Sequence, residues 1–155
     1  AARVAVVARK EVHRKKIEGW GLHLINSANG DVPQQIEELF GSKADVVFED
    51  TGNPQVFEVA IESVLPGGRI CALSITGAKS IPVDMDYVAT RDITVVGVLA
   101  SPNSFVPALR MMEAGKVDVK GCISHRFPFQ DAIQAFEFVR NSSGKDRIKV
   151  LVTGT

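Results

Sequence analysis

The sequence predicts an α/β fold on a parallel, doubly wound sheet, and three observations carry that prediction. Short apolar runs recur at a near-fixed interval, starting at residues 3, 22, 44, 68 and 93. Each run is continuous rather than alternating, which is how strands buried on both faces read. Helix-start signals stand between them, and strand alternating with helix specifies right-handed βαβ crossovers. At 155 residues the chain is about one domain long.

The first run, RVAVVA (3–8), leads into a basic cluster of Arg9, Lys10, His13, Arg14, Lys15 and Lys16, with His13 and Arg14 opening the next helix. LHLIN (22–26) is the second strand. Asp31 and Gln34 have capping-box spacing, Pro33 sits in the first turn, and Ile36, Leu39 and Phe40 share one helical face. ADVVFED (44–50) is the third strand. Asn53-Pro54 opens a helix with Phe57, Ala60, Ile61 and Leu65 at helical spacing, closed by Pro66-Gly67-Gly68. GRICALSI (68–75) and ITVVGVL (93–99) complete the series. After residue 100 the rhythm changes. SFVPALRMMEAG reads as a helix and CISHRFPF as an alternating strand. DAIQAFEFVRN reads as a helix capped by Asp131, with Ile133, Phe136 and Val139 on its buried side, and IKVLVTG as a last strand. This tail is expected to pack on something outside the sheet.

Lysine plus arginine and aspartate plus glutamate number 18 each, and the pI is near 7.1. A nucleic-acid binder needs a positive surface, so that balance excludes it as a partner and makes the basic cluster a local feature, suited to a small anionic group. Cys71 and Cys122 have no CxxC spacing and read as free thiols in a reducing compartment. No apolar run approaches the roughly 18 residues of a membrane span, and no signal-peptide pattern opens the chain, so a cytoplasmic protein without membrane contact is expected. GxSxG, HExxH and P-loop motifs are absent. His23 and His125, each within a strand, read as structural residues, and Lys15 and Lys16 as a solvated helix face.

ADVVFEDTGNPQVFEVAIESVLPGGRICALSITG, RDITVVGV, GKVDVKGCISHRFPFQDAIQAFEFV and the closing IKVLV together resemble the C-terminal portion of the medium-chain, zinc-type alcohol and polyol dehydrogenases, most closely the sorbitol dehydrogenase branch. The resemblance implies a Rossmann-type sheet lacking its first strand and GxGxxG turn, both placed upstream of Ala1. The GWG at 19–21 is not that turn, because it follows a helix. It also implies a nucleotide-binding domain over 1–115 and a tail, 116–155, belonging to an absent catalytic domain that carries the zinc. In strand order 3-2-1-4-5-6 the missing strand is central, leaving two apolar edges unpaired.

NAD-specific members of such folds place an acid at the end of the second strand, where it meets the adenosine ribose. The resemblance puts Ala8 at that position, followed by Arg9. Ala8 removes the repulsion of a 2′-phosphate, and Arg9 offers a planar fork to its oxygens, with Lys10, His13 and Arg14 nearby. The expected cofactor is therefore NADP(H) in preference to NAD(H). By the same resemblance Asp50, Thr51 and Gly52 line the adenine-to-ribose passage, and Leu73, Ser74 and Ile75 with Val98, Leu99 and Ala100 flank the nicotinamide. Lys149 approaches the pyrophosphate. No residue of this segment is expected to be catalytic or to bind metal. The partners implied are a nicotinamide dinucleotide, a small alcohol, polyol or carbonyl substrate, and a second copy paired through strand 93–99. A zinc-free quinone or enoyl reductase and a non-catalytic nucleotide-binding remnant are the alternatives.

Overall fold

A computed structural model describes residues 3–9, 13–99, 103–142 and 147–154. The chain divides into two compact units, Ala1–Ser101 and Pro102–Thr155.

In the first unit, β1 (Ala5–Ala8) leads through α1 (Arg14–Gly19) to β2 (His23–Asn26), which it pairs in parallel. Leu24 and Ile25, adjacent on β2, project to opposite faces and are both buried. A short 3₁₀ turn, Ser27–Asn29, leads to α2 (Val32–Phe40), whose Val32 and Ile36 close on Ile25. Asp31 caps α2 by accepting the Gln34 N–H at 2.9 Å, and Gly41 ends it with φ +75°, the left-handed turn that glycine adopts without a Cβ clash. Gln34 does not reciprocate as a capping box does; its side chain donates to Glu38.

β3 (Ala44–Glu49), β4 (Val64–Ala72) and β5 (Thr94–Gly97) form a second parallel sheet. α3 (Pro54–Ser63) connects the first two, capped by Asn53, whose side chain accepts the Gln55 N–H. α3 ends at Ser63, earlier than the expected stop at Pro66-Gly67-Gly68, which instead lie inside β4 beside its register shift against β3. α4 (Met85–Thr90), which the periodicity did not announce, is capped by Asp84 through the Tyr87 N–H.

The core is one face of this sheet. Ala60, Ile61, Val64, Ile70, Val88 and Ile93 are buried together, with Val47, Phe57, Val83 and Tyr87 packed around them. Register places Val47, Ile70 and Val95 on that face and Phe48, Cys71 and Val96 on the other. Phe48 is 69% exposed, so among the described residues the second face is open.

β1 is bonded to β2 and β3 to β4, and among the described residues no pairing joins β1 to β3. The order β2-β1 followed by β3-β4-β5 is the doubly wound order 3-2-1-4-5-6 with position 1 open, as the sequence implied.

The second unit holds α5 (Phe105–Glu113), α6 (Val119–Cys122) and a parallel pair, β6 (Ile123–Pro128) and β7 (Lys149–Thr153), linked by α7 (Ala132–Asn141). The expected buried side of α7 is not the observed one. Ile133 and Phe136 are 77% and 74% exposed, whereas Ala135 is buried and the Phe138 ring packs against His125 and Phe127. Asp131 stands at the cap position of α7 without a side-chain capping bond. His125 is thus a packing residue, its Nδ1 3.1 Å from Ser124 Oγ. His23 is exposed rather than buried, its ring edge-on to Phe40.

Candidate coenzyme site

Ligands of open α/β sheets bind outside the carboxyl ends of the strands, where the strand order reverses. Four of the predicted groups lie at such ends.

Ala8 closes β1, half-buried and in register with Asn26. Arg9 follows it and is exposed, with no hydrogen-bond or ion-pair partner among the described residues. His13 precedes α1 and is half-buried. Arg14, on the first turn of α1, donates from Nη1 to Glu18 Oε1 at 2.9 Å. Lys10 and Ala100 lie outside the described residues.

The ends of β3 and β4 are built around a residue the sequence reading passed over. Glu49 is the last residue of β3 and only 4% exposed. Its Oε1 accepts the Thr51 N–H at 2.8 Å and the Thr51 hydroxyl at 2.6 Å, and its Oε2 accepts the Ser74 hydroxyl at 2.5 Å. Burial pushes this carboxyl up, but the hydrogen bonds from Ser74, Thr51 and the Gly52 backbone outweigh it and hold it below the usual carboxylate range. A signal was available. Register puts Glu49 on the same face as half-buried Val47, beside the core, and a buried carboxylate there needs donors, which the neighbouring Thr51 and Ser74 supply.

Gly52 has φ +69°, and a Cβ there would stand 3.4 Å from the Ile75 carbonyl oxygen. The two loops therefore meet backbone to backbone, leaving Ile75 78% exposed and Leu73 at the surface. Val98 donates its N–H to the Ala72 carbonyl at 2.9 Å, extending the β4–β5 ladder to the third loop, where Leu99 is 69% exposed. Asp50, Thr51, Gly52, Leu73, Ser74 and Ile75 thus form one wall, with Val98 beside it. A glycine at close approach and exposed apolar side chains suit a flat coenzyme ring and its ribose. Lys149 opens β7 in the second unit, exposed and in register with Ile123. A cleft of about 400 Å³ lined by Glu37, Lys43, Tyr87 and Arg91 lies near the opposite, amino ends of β3 and β4.

The profile of the family described as "Zinc-binding dehydrogenase" matches residues 1–114. The chain belongs to the zinc-binding dehydrogenase family. Among curated relatives, the sorbitol dehydrogenase of Bos taurus is 30% identical over 131 residues, covering 84% of this chain and 36% of its own length. That of Arabidopsis thaliana is 31% identical over 122 residues, covering 79% of this chain and 33% of its own length. The crystal structure of 2R,3R-butanediol dehydrogenase from Bacillus subtilis superposes on the whole chain with a TM-score of 0.87 at 25% identity, using 44% of that protein. The chain therefore spans less than half the length of these relatives.

The donor set of this zinc-binding dehydrogenase segment does not fit zinc. Among the described residues no group of three or more histidine, cysteine, aspartate or glutamate side chains could hold a metal ion, and Cys71 and Cys122 are free. No helix among the described residues is long and apolar enough to cross a membrane.

Proposed function

We propose that this chain is the coenzyme-holding part of an NADP(H)-preferring medium-chain oxidoreductase that interconverts an alcohol or polyol with its ketone or aldehyde. The single observation that carries the coenzyme preference is Arg9, an exposed guanidinium with no partner among the described residues, just beyond the carboxyl end of β1, with Ala8 before it where an acid would repel a 2′-phosphate.

When bound, the nicotinamide supplies hydride transfer. This chain's residues orient it. Arg9 engages the 2′-phosphate, the Glu49-organised loop 50–52 presents its backbone to the ribose, and the ends of β4 and β5 flank the ring. Residues 1–115 form the nucleotide-binding domain, and 116–155 belong with a catalytic domain that holds zinc and shapes the substrate pocket. Strand 93–99, whose Val95, Val96, Val98 and Leu99 are exposed, pairs with a second copy across a twofold axis.

The test is a fluorescence titration of the intact protein with NADPH and with NADH at one ionic strength. NADPH is expected to bind at least about tenfold more tightly, as one to two charged hydrogen bonds at an exposed site dictate. Equal affinities would overturn the preference, and binding of neither coenzyme would overturn the whole reading.

A further inference from the structure

Resting on that reading, we infer that Glu49 is a positioning residue: its carboxylate latches the loop after β3 to the loop after β4 and so sets the spacing between the ribose-side and nicotinamide-side walls of the coenzyme crevice. The geometry is specific. Three donors from two loops converge on one carboxylate, with Thr51 taking Oε1 through both its N–H and its hydroxyl while Ser74 takes Oε2 from 25 residues away. The Thr51 bonds shape the turn locally, and its hydroxyl oxygen in turn accepts the Asn53 N–H at 3.1 Å, leading into the cap of α3. The Ser74 bond is different in kind, because it ties one strand end to the next beyond the last backbone bond, Leu73 N–H to Glu49 O at 2.9 Å.

Past that point the loops run close, since a Cβ on Gly52 would stand 3.4 Å from the Ile75 carbonyl oxygen. The Ser74–Glu49 bond is the side-chain hydrogen bond described between them. Removing the Ser74 hydroxyl would take the described side-chain donor from Oε2 of this buried carboxylate while Thr51 keeps Oε1. Ser74 stands on the nicotinamide-side loop, and among the described residues β1 pairs with β2 and not with β3, so cutting the Ser74 bond is expected to shift the nicotinamide-side wall and to leave the Arg9 grip in place.

The test uses the intact protein, with Ser74→Ala to cut the cross-strand bond, Ser74→Thr to keep the hydroxyl, and Glu49→Gln. Affinities are measured for NADP⁺ and for 2′,5′-ADP, which carries the adenosine phosphates but no nicotinamide. Ser74→Ala is expected to weaken NADP⁺ about tenfold while 2′,5′-ADP stays within about twofold, and Ser74→Thr is expected to restore NADP⁺. Glu49→Gln is expected to resemble Ser74→Ala; if it does not fold, the serine pair alone decides. Equal loss for both ligands marks a merely structural role and overturns the inference, as does no loss for either. If the unmutated protein binds neither ligand, it is the coenzyme assignment that fails.

Discussion

Replacing Arg9 by alanine separates the coenzyme reading from the fold. The residue lies just beyond β1, exposed and without a described partner, so its removal breaks no packing and leaves no buried group unsatisfied. A guanidinium on a phosphate can make two charge-assisted hydrogen bonds, each worth about 1.5–3 kcal/mol. Exposure discounts this, because water competes for both partners and the Debye length at physiological salt is about 8 Å. A net loss of about 1.5–3 kcal/mol, or about 10- to 100-fold, is the consistent figure. The assay is steady-state kinetics of the complete enzyme with each coenzyme in turn. KM for NADP should rise by that factor while KM for NAD moves less than about twofold, and the NADP effect should shrink at high salt. Equal changes for the two coenzymes would refute the reasoning, because only one of them carries the phosphate.

Four further outcomes follow from the same structure. Ile70→Ala removes a side chain that is 0% exposed at the centre of the β3–β5 core, and should cost about 3–4 kcal/mol, read as a lower urea midpoint at unchanged slope. The Glu49 carboxyl is held below its ordinary range in the fold, so its stabilisation is complete above the unfolded glutamate range, about 4.3, and is lost as pH falls through the lowered folded value. Glu49→Gln should therefore flatten the acid limb of a stability–pH profile, and an unchanged limb would exclude that contribution. Phe136→Asp, at a 74% exposed position, should shift the stability of this chain by no more than about 0.5 kcal/mol, and a large drop in melting temperature would show that the ring is covered in solution. The open edges of β1 and β3 predict that purified 1–155 self-associates, and a sharp two-state melt of a concentration-independent monomer would contradict this.

The strands of the first unit were legible because each is a continuous apolar run, the pattern expected of burial on two faces, although among the described residues one face of β3–β5 is left open. The caps at Asp31 and Asn53 were legible because a short polar side chain before a proline-containing first turn has few other uses. α4 escaped because, of its six residues, only Val88 is buried, too little to establish a period. α7 misled for a related reason. Ile133 and Phe136 share a face at helical spacing, and periodicity identifies a stripe without saying whether anything in the same chain covers it. The small Ala135 and the aromatic Phe138 took the inner side instead. Of the coenzyme site, the loops 50–52 and 73–75 were placed by resemblance, and the structure brings them together at Gly52 and Ile75. Glu49 was missed because a charged residue ending a strand reads as the start of a solvated turn unless its register is followed inward.

The open strand position bears on how the site works as a unit. Arg9 follows β1 in one sheet and Glu49 ends β3 in another, and among the described residues no ladder joins the two. What ties them in this chain is side-chain packing: Ile25, Val32 and Ile36 bury against one another, with Ala5 from β1, Phe40 from α2 and Val59 from α3 closing around them. Arg3 adds a hydrogen bond to the Phe40 carbonyl at 2.8 Å and stacks over its ring. Packing of this kind fixes helices against strands but tolerates small slides that a hydrogen-bonded register would forbid. The spacing between the end of β1 and the loops after β3 and β4 thus rests in part on these contacts across α2 and α3. A strand paired to both β1 and β3 would convert that soft spacing into a fixed one, because each of its residues would lock both neighbours in register. On the proposed reading, coenzyme preference rests on Arg9, and a continuous sheet is expected to matter for engaging both ends of the dinucleotide at once.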